Sequence, residues 1–330
     1  MNSEKEIKKI IAEIEQMGRE ACNIAIETIT MEEYRCEVIR EAINYFAEDL
    51  RTNFQHPALL SIACEAAGGN PKETVYVGAA LVLLTGAADI HDDIIDKSRR
   101  KGSKMTVFGK FGGDIALLIG DILFIEGLML LSTACESLPK EKGKIIKELI
   151  KNGFLEIGAA ETLESTLKGK WDIAPEKLLE VIRRKGAVAE ATARAGAVIG
   201  DAAPEAIEDW GRIGRILSMV SNIRDEFVDM FEADELTNRR DNECLPLPIL
   251  YAMRDPRAKK KITRLLKKGE LTDDDVARVV DVVLNVDETR RLKSEMHNLI
   301  EQVSAILDKY KSCKKATILK KVLVQAEMNF

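Results

Sequence analysis

Two short acidic clusters carry the chemistry of which this sequence is capable. In LVLLTGAADIHDDIID, residues 81 to 96, Asp89 and Asp93 stand four apart, as do Asp92 and Asp96. On a helix that spacing puts each pair on one face, where like charges repel. A divalent cation bridging the carboxylates relieves the repulsion, and oxygen ligands suit Mg²⁺ or Mn²⁺. A charge run is ordinarily a solvated helix end. Here, however, the acids follow an apolar stretch from Val75 onward that buries itself without their help, so metal binding is the better reading. His91 beside them reads as a packed or hydrogen-bonded residue and not as a ligand.

A second cluster lies in GRILSMVSNIRDEFVDMFEADEL, where Asp225 and Asp229 repeat the spacing and Glu226 adjoins them. If the two helices face each other, their carboxylates hold several Mg²⁺ ions around a diphosphate, whose oxygens complete the octahedra. Cations stand close by in sequence: Arg99, Arg100, Lys101 and Lys104 follow the first cluster, and Lys185 lies in RRKGA. Such groups neutralise a leaving diphosphate. For Lys101 and Lys104, ordinary surface charge is the competing reading.

The elements that position these acids are helices. Apolar residues recur at three and four positions almost throughout, and no sustained alternation of period two occurs, so the fold class is all-α. The clearest start is Asn70-Pro71-Lys72-Glu73, with Asn as cap, Pro in the first turn and Glu completing a capping box. Gly68-Gly69 ends the helix before it, and the helix that follows runs to Ile95. Further helices are expected over 4–28, 31–50, 57–67, 113–136, 140–168, 175–199, 205–230, 288–312 and 315–328. No repeat and no Gly, Ser or Pro-rich linker divides the chain, so 1–330 reads as a single helical domain.

Composition bounds the function. The 330 residues are 46% hydrophobic and 32% charged, enough apolar mass for a large core. Lys plus Arg is 49 and Asp plus Glu 55, a formal net charge of −6, which disfavours nucleic acid as a partner. The six cysteines are scattered without metal spacing and read as buried thiols of a reducing compartment. The start, MNSEKEIKKIIAEIEQ, lacks the apolar region of a signal peptide. The stretch from Ala116 to Leu131 is interrupted by Asp121 and Glu126, so no transmembrane segment is expected, and the location is read as cytoplasmic.

HDDIID, followed in order by DKSRRKG, TVFGKFG and IGDILF, resembles the trans-isoprenyl diphosphate synthases, or polyprenyl synthetases, and the likeness extends over roughly 40 to 255. The resemblance implies a prenyl-synthase (terpenoid synthase) helical bundle around a deep central cavity, usually homodimeric. It puts Asp92, Asp93 and Asp96 at the first metal positions and Asp225 and Asp229 at the second, with Glu226 replacing an Asp. Lys185 takes the place of the Lys in a Lys-Thr pair, Gly186 replacing the Thr. Catalysis then falls to Asp92, Asp93, Asp96 and Lys185, with three Mg²⁺ ions bridging the diphosphate and Mn²⁺ as an alternative. Arg99, Arg100, Lys185 and His56 would bind substrate.

The implied reaction ionises an allylic prenyl diphosphate and elongates it with isopentenyl diphosphate. Departures from the family bear on the second substrate: the family's Lys is Asn53, its Arg is His56, and a His is Thr85. Ser221-Asn222 replaces Phe-Gln, and Asp241-Asn242 aligns with Gly-Lys, while Arg51, Arg239 and Arg240 stand near enough in sequence to compensate. A class I cyclase-type lyase and a noncatalytic subunit of a heteromeric synthase are the alternatives. Small residues at Ala87 and Ala88, with Leu84 a turn deeper, imply an extended cavity for about twenty carbons or more, each buried CH₂ contributing ~0.8 kcal/mol.

Overall fold

The structure, a computed structural model, describes residues 2–50 and 53–328; Arg51 lies outside them. In chain order the helices are α1 (Asn2–Thr30), α2 (Glu37–Leu50), α3 (Gln55–Ala66), α4 (Val75–Ile95), α5 (Val107–Phe111), α6 (Gly113–Glu136) and α7 (Lys140–Ser165). They continue as α8 (Pro175–Lys185), α9 (Ala187–Ile199), α10 (Pro204–Asp229), α11 (Ala233–Asn242) and α12 (Leu247–Ala252). The last are α13 (Pro256–Leu266), α14 (Asp273–Leu284), α15 (Asp287–Leu307) and α16 (Lys314–Met328). Among the described residues the strands are β1 (Arg100–Lys101) and β2 (Lys104–Met105), an antiparallel hairpin pairing Arg100 with Met105. Two residues per strand are too few to leave a period-two signature in sequence.

The chain divides into two compact units: Met1–Asn152 with Ala189–Gly214 and Leu307–Val322, and Gly153–Val188 with Arg215–Ile306 and Leu323–Phe330. In the first, α4 is the core helix, packed by α1, α3 and α6. Asn70 caps as expected, its side chain accepting from the Lys72 amide at 3.2 Å, though onto a 3₁₀ turn (Pro71–Thr74) that leads into α4. Helix α6 packs antiparallel to α4 at close range. A Cβ on Gly120 would sit 2.5 Å from His91 Nε2, and one on Gly127 2.8 Å from Leu84 Cγ. Two glycines seven residues apart thus meet two α4 residues seven apart. His91 is held on this side, 3.3 Å from Asp121, in keeping with its reading as a packed residue.

The small-residue stretch in α9 serves close packing too, since Gly196 and Gly200 lie against the α3 backbone, where a Cβ would come within 2.2 Å of Leu60 O and 2.5 Å of Cys64 O. The expected helix over 175–199 is instead two helices broken at Gly186, the C-cap residue of α8. Residues 31–36 precede α2 instead of belonging to it. The second unit packs α8 against α12, and α14 against α11, α12 and α13.

Two helical stretches, Pro71–Ile95 and Gly113–Glu136, are long and apolar enough to cross a bilayer by length and composition. The first is the core helix just described, with 67% of its most apolar window buried. The second has only 33% of that window buried, because α6 turns Leu117, Leu118, Ile125, Leu128 and Met129 outward.

Candidate active site

The first acidic group sits where α4 ends. The Asp96 amide donates to Asp92 O at 2.8 Å and the Ser98 amide to Asp93 O at 2.9 Å, while Lys97 takes a left-handed φ of 56° that turns the chain back. Arg99 then passes against α5 so tightly that a Cβ on Gly109 would lie 2.0 Å from Arg99 O. Thr106 fixes the same crossing by donating to Ser98 O at 2.7 Å and accepting from the Gly109 amide. The first glycine of TVFGKFG, Gly109, is therefore a steric requirement of the returning chain.

That return brings Lys101, not its neighbours, to the acids: Lys101 Nζ is 2.9 Å from Asp93 Oδ1. Arg99 lies over the Phe108 ring at 5.4 Å, Arg100 donates to Ser103 O at 2.7 Å, and Lys104 pairs with Asp49. Spacing alone left Lys101 between neutralising a diphosphate and ordinary surface charge; the turn at Lys97 makes it the partner of the cluster. Burial pushes Asp93 up to about 6 despite Lys101. Asp89 is solvent-accessible yet desolvated, and also rises to about 6, with Asp92, Asp93 and Asp49 adding repulsion. Burial opposes the Lys101 charge, but Asp93, Asp89 and Asp92 together hold its pKa above the ordinary value.

Asp92 Oδ1 is buried without a hydrogen-bond partner. Repulsion between exposed carboxylates four apart costs only about 0.2–0.5 kcal/mol. An unpaired buried carboxylate oxygen costs several times more, so this atom is the stronger reason for a cation here. The carboxylate oxygens suit a hard divalent ion, although among the described residues no three His, Cys, Asp or Glu side chains already converge on one point, so such an ion would have to draw the carboxylates together.

Two turns deeper than Asp92 on the same face of α4, Thr85 accepts from Asn53 Nδ2 at 3.1 Å; on α3, His56 Nδ1 lies 3.1 Å from Thr192 Oγ1. Burial pushes His56 down to about 4. At neutral pH His56 therefore offers a hydrogen bond and no charge. Ala87 is fully buried in the core with Phe46, Leu83 and Ile90, whereas Ala88 is half-buried.

The second acidic group closes α10 in the other unit. Asp225 is exposed, Asp229 half-buried and Glu226 buried. Desolvation raises Asp225, and it raises Asp229 to about 7 against the pull of Arg239. Glu226 is not presented as the sequence implies. Its Oε1 meets Arg239 Nη2 at 2.5 Å, and its Oε2 accepts from the Leu247 amide at 2.7 Å. Arg239 also reaches Glu243 at 3.3 Å and Asp229 at 3.6 Å. Lys185 pairs with Glu161 at 3.0 Å and Glu164 at 2.5 Å, both on α7. Arg240 binds Asp241 and the carbonyls of Leu266, Lys268 and Gly269 that end α13. Neither Arg239 nor Arg240 stands as a spare cation. Around Arg239 and Lys185 are Glu161, Glu164, Glu226, Asp229 and Glu243, so carboxylates exceed cations here as well.

An all-α chain with two aspartate-bearing helix ends is the architecture of the prenyl synthases. The fold matches the crystal structure of geranylgeranyl pyrophosphate synthetase from Pyrococcus horikoshii Ot3 with TM-score 0.84 and 22% identity, over 96% of this chain and 98% of that one. It also matches polyprenyl synthase from Caulobacter crescentus CB15, crystallised with calcium and isoprenyl diphosphate, with TM-score 0.80 and 20% identity over 97% of each. In sequence, the chain is 25% identical over 254 residues to the short chain isoprenyl diphosphate synthase of Methanothermobacter thermautotrophicus, covering 76% of this chain and 72% of that protein. Residues 37–283 match the polyprenyl synthetase family model, and the chain belongs to that family. It is a prenyltransferase.

Proposed function

We propose that the chain ionises an allylic prenyl diphosphate and elongates it with isopentenyl diphosphate, on Mg²⁺ held by Asp92, Asp93, Asp96, Asp225 and Asp229. The observation that carries this reading is the orphan Oδ1 of Asp92 among desolvated acids, in a chain of this family. Three Mg²⁺ ions are the proposed complement, with Mn²⁺ able to substitute. Such ions, when bound, supply the Lewis-acid charge that weakens the carbon–oxygen bond of the allylic diphosphate.

The protein's own groups do the rest. The acids fix where the charged head sits, and Lys101 lies beside them with an ammonium that stays protonated. The bond pair leaves with diphosphate, the double bond of isopentenyl diphosphate attacks the allylic carbon, and a proton departs to diphosphate. The residues of α4 below the acids, Leu81 to Leu84, are wholly buried, so this part of the helix is apolar and shielded from water. Asn53, His56 and Thr85 supply neutral hydrogen-bonding groups at the positions that the family resemblance gives to the second substrate, with Thr192 beside His56.

The test is incubation of purified protein with geranyl, farnesyl and geranylgeranyl diphosphates and Mg²⁺, with and without labelled isopentenyl diphosphate. Label in a longer prenyl diphosphate supports the reading. Hydrocarbon from the allylic substrate alone points to a cyclase-type lyase, and absence of either product to a noncatalytic subunit; both overturn it.

We also propose a cytoplasmic homodimer. The five outward apolar residues of α6 support the dimer, as exposed apolar residues gathered on one side of a helix, here interrupted by Asp121, are a usual mark of an association surface. The six free thiols support a reducing compartment.

A further inference from the structure

We infer that Arg239 is a positioning residue that withdraws Glu226 from the ligand set and leaves Asp225 and Asp229 as the pair that α10 presents. The inference rests on the reading of this acidic group as a cation site.

Helix geometry gives its first ground. At 100° per residue, Asp229 lies 40° around the helix from Asp225, and Glu226 lies 100° from Asp225 on the same side. Exposure follows that angular order: Asp225 exposed, Asp229 half-buried, Glu226 at 8%. The three acids therefore occupy a graded arc, and its buried edge is Glu226.

The second ground is saturation. Glu226 spends one oxygen on Arg239 and the other on the Leu247 amide just after Pro246. A carboxylate bound at both oxygens by a guanidinium and a backbone N–H gains nothing by turning to a cation, and to do so it would strand Arg239. Arg239 is 7% exposed, and its Nε is buried with no partner. Its side chain is thus placed by the carboxylates it serves at the expense of one of its own hydrogen bonds. Because it touches Glu226, Asp229 and Glu243 together, it ties the last turn of α10 to α11 and the segment after it. That fixes the rotation of the turn from which Asp225 and Asp229 project.

The experiment measures Mn²⁺ affinity of the full chain with inorganic pyrophosphate, by the electron paramagnetic resonance signal of free Mn²⁺, beside the melting temperature without metal. Glu226→Gln should leave the Mn²⁺ Kd within threefold and lower the melting temperature by about 5 °C or more. Asp229→Asn should raise the Kd at least tenfold without that thermal loss. Arg239→Gln should both lower the melting temperature and weaken Mn²⁺ several-fold, and Arg239→Lys, which keeps the charge, should recover part of the affinity; it carries the test where the Gln variant does not fold. A Glu226→Gln loss of affinity equal to that of Asp229→Asn makes Glu226 a ligand and overturns the inference. So does an Arg239 variant that moves the melting temperature with Kd unchanged. If Asp225→Asn and Asp229→Asn are silent as well, the cation reading of the group falls and takes the inference with it, a pattern distinct from either of the others.

Discussion

Lys101 Nζ stands 2.9 Å from Asp93 Oδ1 across the turn that closes α4, one ammonium set against Asp89, Asp92 and Asp93. Asp93 Oδ1 thus has an ion-pair partner, whereas Asp92 Oδ1 is buried with none. A site that holds more negative charge than its own cations balance is unstable empty and stable when loaded.

Asp92→Asn should separate these two effects. Without metal it removes one unpaired buried charge beside Asp89 and Asp93, and should stabilise the fold by about 0.5–2 kcal/mol. Turnover should fall at least a hundredfold, as should that of the wild type in chelator. Denaturant unfolding and a prenyl-transfer assay on the same preparation check both; a variant that is less stable and fully active refutes the assignment.

The pH dependence of stability has a determinate sign. Asp89 and Asp93 rise to about 6 and Asp229 to about 7, so the folded state binds protons that the unfolded chain releases. Their contribution is gained as pH falls from about 7 toward the ordinary carboxylate value near 4, and lost as pH rises. His56 acts oppositely: held at about 4, it costs stability as pH drops below the ordinary imidazole value near 6.5. With three such acids against one imidazole, metal-free protein should melt higher at about pH 4–5 than at about pH 7, and saturating Mg²⁺ should flatten that loss by keeping the acids ionised. His56→Gln should steepen the gain as pH falls from about 6.5 to about 4. Melting curves from pH 4 to 8, with and without Mg²⁺, decide it.

Asn53 and Thr85 satisfy each other without charge at 3.1 Å. Asn53→Lys introduces a cation one turn below Asp89 and should lower the KM for isopentenyl diphosphate about tenfold, the usual worth of one charge-assisted contact to phosphate. Steady-state kinetics at saturating allylic diphosphate measure it, and an unchanged KM would mean that the second diphosphate binds elsewhere.

Ala88 is half-buried and Ala87 wholly buried, so the two small residues should respond differently to Phe. Ala88→Phe should shorten the longest product by at least one five-carbon unit with little thermal change. Ala87→Phe should destabilise by about 1–3 kcal/mol through overpacking against Phe46 and Ile90. Chromatography of the dephosphorylated products and melting curves test the pair.

Leu118 and Ile125 project from α6 at 57% and 59% exposure. Replacing both with Glu should turn a dimer into a monomer by light scattering. A wild type that is already monomeric would refute the proposed assembly.

Much of this was written in local sequence. The apolar period gives the helices, Asn70-Pro71 the start of α4, and four-residue spacing the two acidic clusters, because each depends on contacts within a turn or two of the chain. Tertiary structure decided which charges meet. Lys101 and not Arg99 or Arg100 reaches Asp93 because Lys97 reverses the chain and Gly109 lets it pass. Glu226 turns from candidate ligand into anchor because Arg239, thirteen residues away, and the Leu247 amide, twenty-one away, converge on it. His56 is neutral because burial, which no residue type records, makes its charge too costly. Spacing reports the face on which a side chain lies; its protonation state and its partner are set by what the rest of the chain packs against that face.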